Sequence, residues 1–515
     1  MHKRRKFQIV LFALFGVFLL AWVFTQAGVY GQTMDEPLRD RSGQSMLGWY
    51  TTLGKDTSII TASPSDESQQ GTIFDAVPAG VEQLFSPDSQ WYIHAVVIGL
   101  AGVAGVIGIT LCGYELAGLW GAVLAALGLW LYPRYSGALF TNSRDIPFAA
   151  TMTFVLWSVL LLVKNWESKR SFWYTMLTGF WIGFAASIQV MALLWYGILG
   201  LMLASWWLIS GPRAWQKKQV LVALWRHMTA CIGISSVSVL TMMALWPSLF
   251  LSSEFILRLS HDPWNGTVLA GTAYSTAHLP RLSALVWLVI GSPSALVLCA
   301  LLGLVTTALF LLRKRVVDPK MAVISLAFLV PLAAIVGLHA VPSGTLRPCL
   351  FLVPPMILLA VYGVIHLSHF LISHQQKAVA AGLSLLLISY GFVVKDIADL
   401  YPYEDVYFSP LVGGLQGATN TYEVDPWGAC QKASAEWLAH HYQRYTNKKH
   451  PSVEGVPHVE SLVTMYLPRT FHVDEKHPDF YVAPIERGGR TQYPSYHVIY
   501  MERREGVPLC VVKAR

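Results

Sequence analysis

His2-Lys-Arg-Arg-Lys6 is followed by a run without a charge from Phe7 to Val29, and then directly by Tyr30-Gly-Gln-Thr-Met-Asp35-Glu36-Pro37. A basic end before an apolar run of about 20 residues reads as a cytoplasmic N-terminus and a first membrane-spanning helix. A signal peptide is the alternative, but the run is long and carries no clean small-x-small cleavage site. On either reading the next loop lies outside, with two adjacent carboxylates a few residues beyond the membrane exit. There a lipid-borne substrate is reachable from one side and a soluble or tethered acceptor from the other. A solvated loop that happens to hold two acids is the plain alternative.

The composition extends this reading. Hydrophobic residues make up 54% and charged residues 13% of the chain, with a mean hydropathy of +0.47. Apolar runs recur near 91–111, 115–132, 145–163, 173–188, 190–209, 229–247, 284–312, 321–338, 348–371 and 377–396. Together with the first they predict a multi-pass α-helical membrane protein of about eleven transmembrane helices. Pro293 is expected to kink the span that contains it. Lys164/Lys169/Arg170, Arg213/Lys217/Lys218/Arg226 and Arg313/Lys314/Arg315/Lys320 fall in loops that this count assigns to the cytoplasm, as the positive-inside bias requires. The net charge of +7 is therefore explained by orientation, with no nucleic-acid partner. No phosphate-binding glycine loop, His-Glu-x-x-His pair or internal repeat is present.

An odd number of spans places the last part of the chain outside, with Asp35. The predicted domains are a membrane domain over 1–398, with a long first outer loop over 30–90, and a small extracytoplasmic α/β domain over 399–515. The loop's last third, about Thr72 to Phe85, reads as a short helix lying in the interface. Cys430 and Cys510 are the only cysteines of the tail. An outside location permits a disulfide between them, which spacing alone does not decide.

Several charges sit at outer helix ends, against the orienting bias. Arg134 and Arg144 flank a short outer loop, and Arg347 opens a span in Leu346-Arg-Pro-Cys-Leu-Phe-Leu-Val-Pro354-Pro355. A guanidinium there suits a lipid phosphate, and simple snorkelling is the other explanation. Asp145, before Ile146-Pro147, is placed to cap a helix or to serve as a second acid beside Asp35. In an extended loop Asp35 and Glu36 point opposite ways, so one addresses a reacting centre, preferably Asp35, and the other supports the fold or a metal. His94 and His339 read as interfacial hydrogen-bonders, and Asn265-Gly-Thr267 is a glycosylation sequon. Gln189, at a helix break, is the nearest approach to a midplane polar group. The cysteine spacing suits no metal, and no His/Asp cluster demands one.

These features in this order resemble the GT-C membrane glycosyltransferases. They resemble more narrowly the bacterial branch of family 39, related to protein O-mannosyltransferases and lipid A aminoarabinose transferases. The resemblance rests on Asp35-Glu-Pro, on Pro133-Arg-Tyr-Ser-Gly…Asn142-Ser-Arg-Asp145-Ile-Pro-Phe148, and on the Arg347-led helix. It also rests on Tyr401-Pro-Tyr-Glu…Tyr407-Phe…Leu411-Val-Gly-Gly…Trp427-Gly and on Gly506-Val-Pro-Leu-Cys-Val-Val. Two positions depart from the pattern. Arg144 stands where lysine is usual, and Leu38-Arg39-Asp40-Arg41 follow Asp-Glu-Pro where the branch commonly has a histidine.

The resemblance implies a hexosyl- or pentosyltransferase of the cell envelope, in a bacterial inner membrane with its C-terminal domain periplasmic. Its donor would be a polyprenyl-phosphate sugar and its acceptor a protein, lipid or glycan hydroxyl. Asp35 would be the general base, with Glu36 and Asp145 as further site acids. Arg347, with Arg134 and Arg144, would hold the donor phosphate. Transfer would invert, so one base suffices. Some relatives use a divalent metal, which leaves a metal open here. A transporter or flippase of a lipid-linked glycan, and a ligase using a polyprenyl diphosphate, are the competing readings.

Overall fold

The computed structural model describes residues 2–61, 71, 73–86, 89–210, 217–251, 267–275, 278–314, 318–338, 345–371, 375–456 and 462–515. Arg213, Asn265, Arg315 and His339 lie outside the described residues.

Among the described residues six helices are long and apolar enough to cross a membrane. They are Gln90–Trp130, Asp145–Lys164, Val220–Leu245, Ser294–Leu312, Pro319–Leu338 and Arg347–Ile365. The apolar helices Phe12–Gln26 and Val190–Ser205 are shorter. Large apolar side chains such as Leu221, Trp225, Ile232 and Leu240 stand exposed on the outer helices, a surface stable against lipid and costly against water. The chain is an integral membrane protein.

Local chemistry explains the breaks. In Gln90–Trp130, Ala117 and Gly118 leave the helical region, and Gly118 takes a φ of +63° that an L side chain rarely adopts. A Cβ on Gly113 would lie 2.3 Å from the Gly121 carbonyl oxygen. Residues eight apart touch only if the helix doubles back, so the expected spans near 91–111 and 115–132 are two arms of one hairpin. The expected span over 284–312 is broken instead of kinked. Ser283–Ile290 and Ser294–Lys314 flank Gly291-Ser292-Pro293, because Pro293 cannot donate to the preceding turn. The Ser409 amide donates to the Ile290 carbonyl (2.6 Å), satisfying one acceptor at the break.

Among the described residues of the loop over 30–90 there is more helix than the composition suggests. Ala76–Glu82 forms the expected short helix, but Glu36–Thr51 is also helical. Pro37 favours a start at Glu36. The buried side of this second helix holds Glu36, Arg39, Asp40, Ser42 and Met46, so it is held by polar pairing that hydrophobic periodicity does not register.

Beyond the Gln375–Leu400 helix the tail builds a five-stranded sheet. Its spatial order is His472–Val473, Ser452–Glu454, Phe480–Pro484, Val507–Ala514, His497–Arg504. The first two contacts are parallel and the last two antiparallel. Ala435 and Leu438 of the Gln431–His441 helix pack into a core with Val453, Phe480, Val482 and Val512. Cys430, just before that helix, is disulfide-bonded to Cys510 in the central strand pair.

Candidate active site

Four chain segments far apart in sequence meet at one end of the first helices. Asp35 immediately precedes the Glu36–Thr51 helix, with α-helical backbone angles. It and Glu36 are therefore not the two faces of an extended strand. Both carboxylates reach one guanidinium: Arg347 Nη2 is 3.2 Å from Asp35 Oδ2 and 3.8 Å from Glu36 Oε1. Asp145 Oδ2 lies 3.5 Å from Arg347 Nε. The planar face of Arg347 lies 4.2 Å from the Trp427 ring, a cation–π contact. Arg347 itself begins the 3-10 turn Arg347–Leu352, which runs into the Val353–Leu371 helix.

Each partner is fixed in turn. The Thr33 hydroxyl lies 2.6 Å from Asp35 Oδ1 and 2.8 Å from the Thr141 carbonyl oxygen. Glu36 accepts the Ser143 amide (3.0 Å) and bonds His94 Nε2 (2.8 Å), while His94 Nδ1 faces Glu82 (2.8 Å). Glu36 is thus both a partner of Arg347 and a support of the fold. Asp145 makes no side-chain cap at its helix. Asn142 takes that role by accepting the Arg144 and Asp145 amides (3.1 and 2.7 Å), as an Asx turn does. This frees the Asp145 carboxylate for the site, where Asn142 Nδ2 (3.0 Å) and Gln189 Nε2 (2.7 Å) donate to it. Gln189 is therefore a neighbour of the acids and not a midplane group.

Arg134 stands across a cleft from Arg347. Its Nε donates to the Tyr407 carbonyl (2.9 Å), and its guanidinium packs over Phe408 (4.8 Å) and Trp287 (5.5 Å). Its Nη2 has no hydrogen-bond partner among the described residues. Thr33, Arg134, Arg347, Leu350, Asp405 and Trp427 line the cleft. Arg144 does not line it; it precedes the Asp145–Lys164 helix, half-buried.

Asp405 and Trp427 come from the segment that follows the Gln375–Leu400 helix, whose roles sequence reasoning did not single out. The signal was the run from Tyr401 to Trp427. Its entry is tied down by Tyr30, which donates to Glu404 (2.9 Å), and its exit by the Met34 amide on the Trp427 carbonyl (3.1 Å). Asp405 approaches because residue 137 is glycine: a Cβ there would sit 2.2 Å from the Asp405 nitrogen.

Burial would raise the Asp35 carboxyl, but Arg347, Arg39 and the Thr33 hydroxyl outweigh it and hold it below the usual carboxylate range. Burial raises Asp405, against the pull of Arg134 and Arg347, and lowers Arg134 to about 10. Asp425, beside the cleft, is pushed up to about 8 by burial and by its neighbour Asp405. Between an ordinary carboxylate value and about 8, the folded chain holds a proton there that the unfolded chain has released. Its contribution to stability is full at acid pH and is lost as pH rises through that window. The melting temperature should therefore fall from pH 5 to pH 8, and Asp425→Asn should flatten the slope. The scale is up to about 1.4 kcal/mol per pH unit for one proton, read by thermal unfolding in detergent at several pH values. Equal slopes for both proteins would show that Asp425 is not the group responsible.

The three carboxylates at Arg347 converge on a guanidinium, so that set does not fit a divalent ion.

No family model matches the chain, and no curated protein matches its sequence. Among solved structures it is similar to ArnT from Cupriavidus metallidurans in the apo state. The identity is 14% and the TM-score 0.53, covering 99% of this chain and 98% of that one. It is also similar to ArnT from the same organism bound to undecaprenyl phosphate, with 13% identity, a TM-score of 0.52, and 98% and 97% covered. The chain has the GT-C membrane fold over essentially its whole length.

Proposed function

We propose that this protein is a membrane glycosyltransferase that moves a hexosyl or pentosyl group from a polyprenyl-phosphate donor to an acceptor hydroxyl at the outer membrane face, with inversion. The observation that carries the reading is the meeting of Asp35, Glu36 and Asp145 on Arg347 beside a cleft that also holds Arg134. A protein of the same fold binds undecaprenyl phosphate, which supports the donor class.

In this reading the N-terminus is cytoplasmic, residues 1–398 form the membrane domain, and residues 399–515 form an extracytoplasmic domain that walls the cleft through Trp427. The donor phosphate lies between Arg134 and Arg347. Arg134 Nη2, which has no partner among the described residues, is a ready donor for it, and stacking on Phe408 and Trp287 holds the guanidinium in place. The phosphate draws Arg347 from Asp35, whose basicity then rises. Asp35 takes the proton of the acceptor hydroxyl as its oxygen attacks the anomeric carbon and the bond to the phosphate oxygen breaks. The leaving group departs as a phosphate, so no strong acid is needed, and the two guanidiniums stabilise the charge that develops. Arg144 serves the approach of the donor headgroup. Glu36 and Asp145 position Arg347. The acceptor is a protein, lipid or glycan hydroxyl.

Titrating undecaprenyl phosphate into the purified full chain, by native mass spectrometry, tests the donor site. Arg134→Ala should weaken binding about tenfold or more, the scale of a lost hydrogen bond to a charged group. Unchanged affinity would remove Arg134 from the donor site.

A further inference from the structure

Among the described residues that line the cleft, Arg134 and Arg347 are the cations and Asp405 is the only acid. Asp405 sits in the short turn Glu404–Val406, pressed against Gly137, and the transfer chemistry gives it no task. A carboxylate beside a place for phosphate weakens phosphate binding, so its presence there calls for another reason. We propose that Asp405 is a charge filter, a specificity-determining residue that lets the cleft hold a singly charged phosphodiester and disfavours a doubly charged phosphomonoester.

The role rests on the donor reading, in which the phosphate arrives as a diester with one negative charge. When the bond to the anomeric carbon breaks, its electron pair stays on the phosphate oxygen. The carrier left behind is a monoester whose second proton is lost near about pH 6. Two guanidiniums alone would hold that dianion more tightly than the incoming donor, and the spent carrier would block the cleft. A fixed negative charge beside them reverses the preference.

The neighbour of Asp405 keeps the charge on it. Asp425 Oδ1 accepts the Gly428 amide (2.8 Å), but Oδ2 has no hydrogen-bond partner among the described residues, and the residue is only 4% exposed. Such a group is costly to ionise beside a second acid, and it is pushed up to about 8 by burial and by Asp405. Glu486, next to it, is already engaged through both oxygens by the Val424 amide (3.0 and 2.8 Å). Asp405 is half-buried and is pulled toward ionisation by Arg134 and Arg347. At neutral pH the proton of this pair therefore resides on Asp425, and Asp405 carries the charge. Asp405 does not close the cleft off, since Arg134 Nη2 has no hydrogen-bond partner among the described residues and Arg347 pairs with Asp35, Glu36 and Asp145. The remaining acid nearby is Glu404, which accepts from Tyr30 (2.9 Å) and is pushed up to about 7.

The test uses the full chain in detergent, with affinities read by isothermal titration calorimetry for two probes. Methyl undecaprenyl phosphate is a diester with one charge, and undecaprenyl phosphate is a monoester that is doubly charged at pH 8.5. At that pH the wild type should bind the diester more tightly. Asp405→Asn should tighten the diester about threefold and the monoester about tenfold, because repulsion scales with ligand charge and doubling it squares the fold-change. Equal tightening of the two probes, or none, would overturn the filter. A second comparison needs no variant. At pH 5.5 the monoester has one charge, so its affinity for the wild type should converge on that of the diester. Glu404 and Asp425 also titrate across this range, so the ratio of the two affinities is read at each pH, where an effect common to both probes cancels. A wild type that prefers the doubly charged probe at pH 8.5 would overturn the proposal. Failure of both probes to bind would remove the donor reading and the filter with it. Diester binding that is lost in Arg134→Ala but shows no charge preference in the wild type would overturn the filter alone.

Discussion

Asp35→Asn should lower sugar transfer by about 10²- to 10⁴-fold, the range that a positioned base supplies, while the protein still inserts, folds and binds donor. Asparagine keeps the shape of the residue and an oxygen for the Thr33 hydroxyl. Arg347 retains Glu36 and Asp145, 3.8 and 3.5 Å away, as counter-charges. The change therefore removes a base without leaving a buried cation alone. In the resting site Asp35 is ionised but weakly basic, because Arg347 and Arg39 depress its pKa. Donor phosphate that competes for Arg347 relieves part of this, so the acid limb of the pH–rate profile with donor bound should lie above the resting titration of Asp35. Steady-state transfer by the purified protein, with donor affinity measured in parallel, checks both statements. Full turnover in Asp35→Asn would remove the residue from the base role.

Arg347→Ala should have the broader effect. It strips the shared partner from three carboxylates and exposes one side of Trp427 to an empty space. Removing one member of a buried charge cluster typically costs about 3–5 kcal/mol, and losing a cation aimed at developing charge costs about 10²- to 10³-fold in rate. A lower melting temperature should accompany the loss of donor affinity. Arg347→Lys separates the two effects. A point charge recovers much of the stability, but it lacks the planar fork that meets several oxygens and stacks on the indole, so transfer should stay low. Thermal melts and donor titration on the three proteins decide this. Wild-type donor affinity in Arg347→Ala would return the residue to a structural role.

Much of this site was legible because its residue types defy their setting. An arginine opening a span, and acids at span ends, are costly unless used or paired, and Arg347, Asp35 and Asp145 do meet. The hairpin at Gly118 and the break at Pro293 follow from backbone chemistry that a sequence displays. The Glu36–Thr51 helix was not legible, because its buried face is stabilised by charge pairing such as Arg39 with Asp35 and Asp75. Hydropathy reads such residues as loop. Asp145 illustrates a subtler limit. Its position at a helix start argues for a cap, and only the structure reveals that Asn142 has taken that task. His94, Glu82 and Asp40 lie in three segments whose proximity depends on tertiary packing, so no spacing rule joins them. Asp405 and Trp427 reach the cleft because the segment after the Gln375–Leu400 helix folds back over the start of the first loop, at Tyr30 and Met34.

The most direct test of the transferase assignment is mass spectrometry of the polyprenyl lipids from cells with and without this protein. A polyprenyl monophosphate monosaccharide should accumulate when the protein is absent, and its mass would identify the sugar class. An unchanged monophosphate-sugar pool would contradict the assignment; a rise in diphosphate-linked glycans would then point to a ligase, and no change in either pool to a transporter.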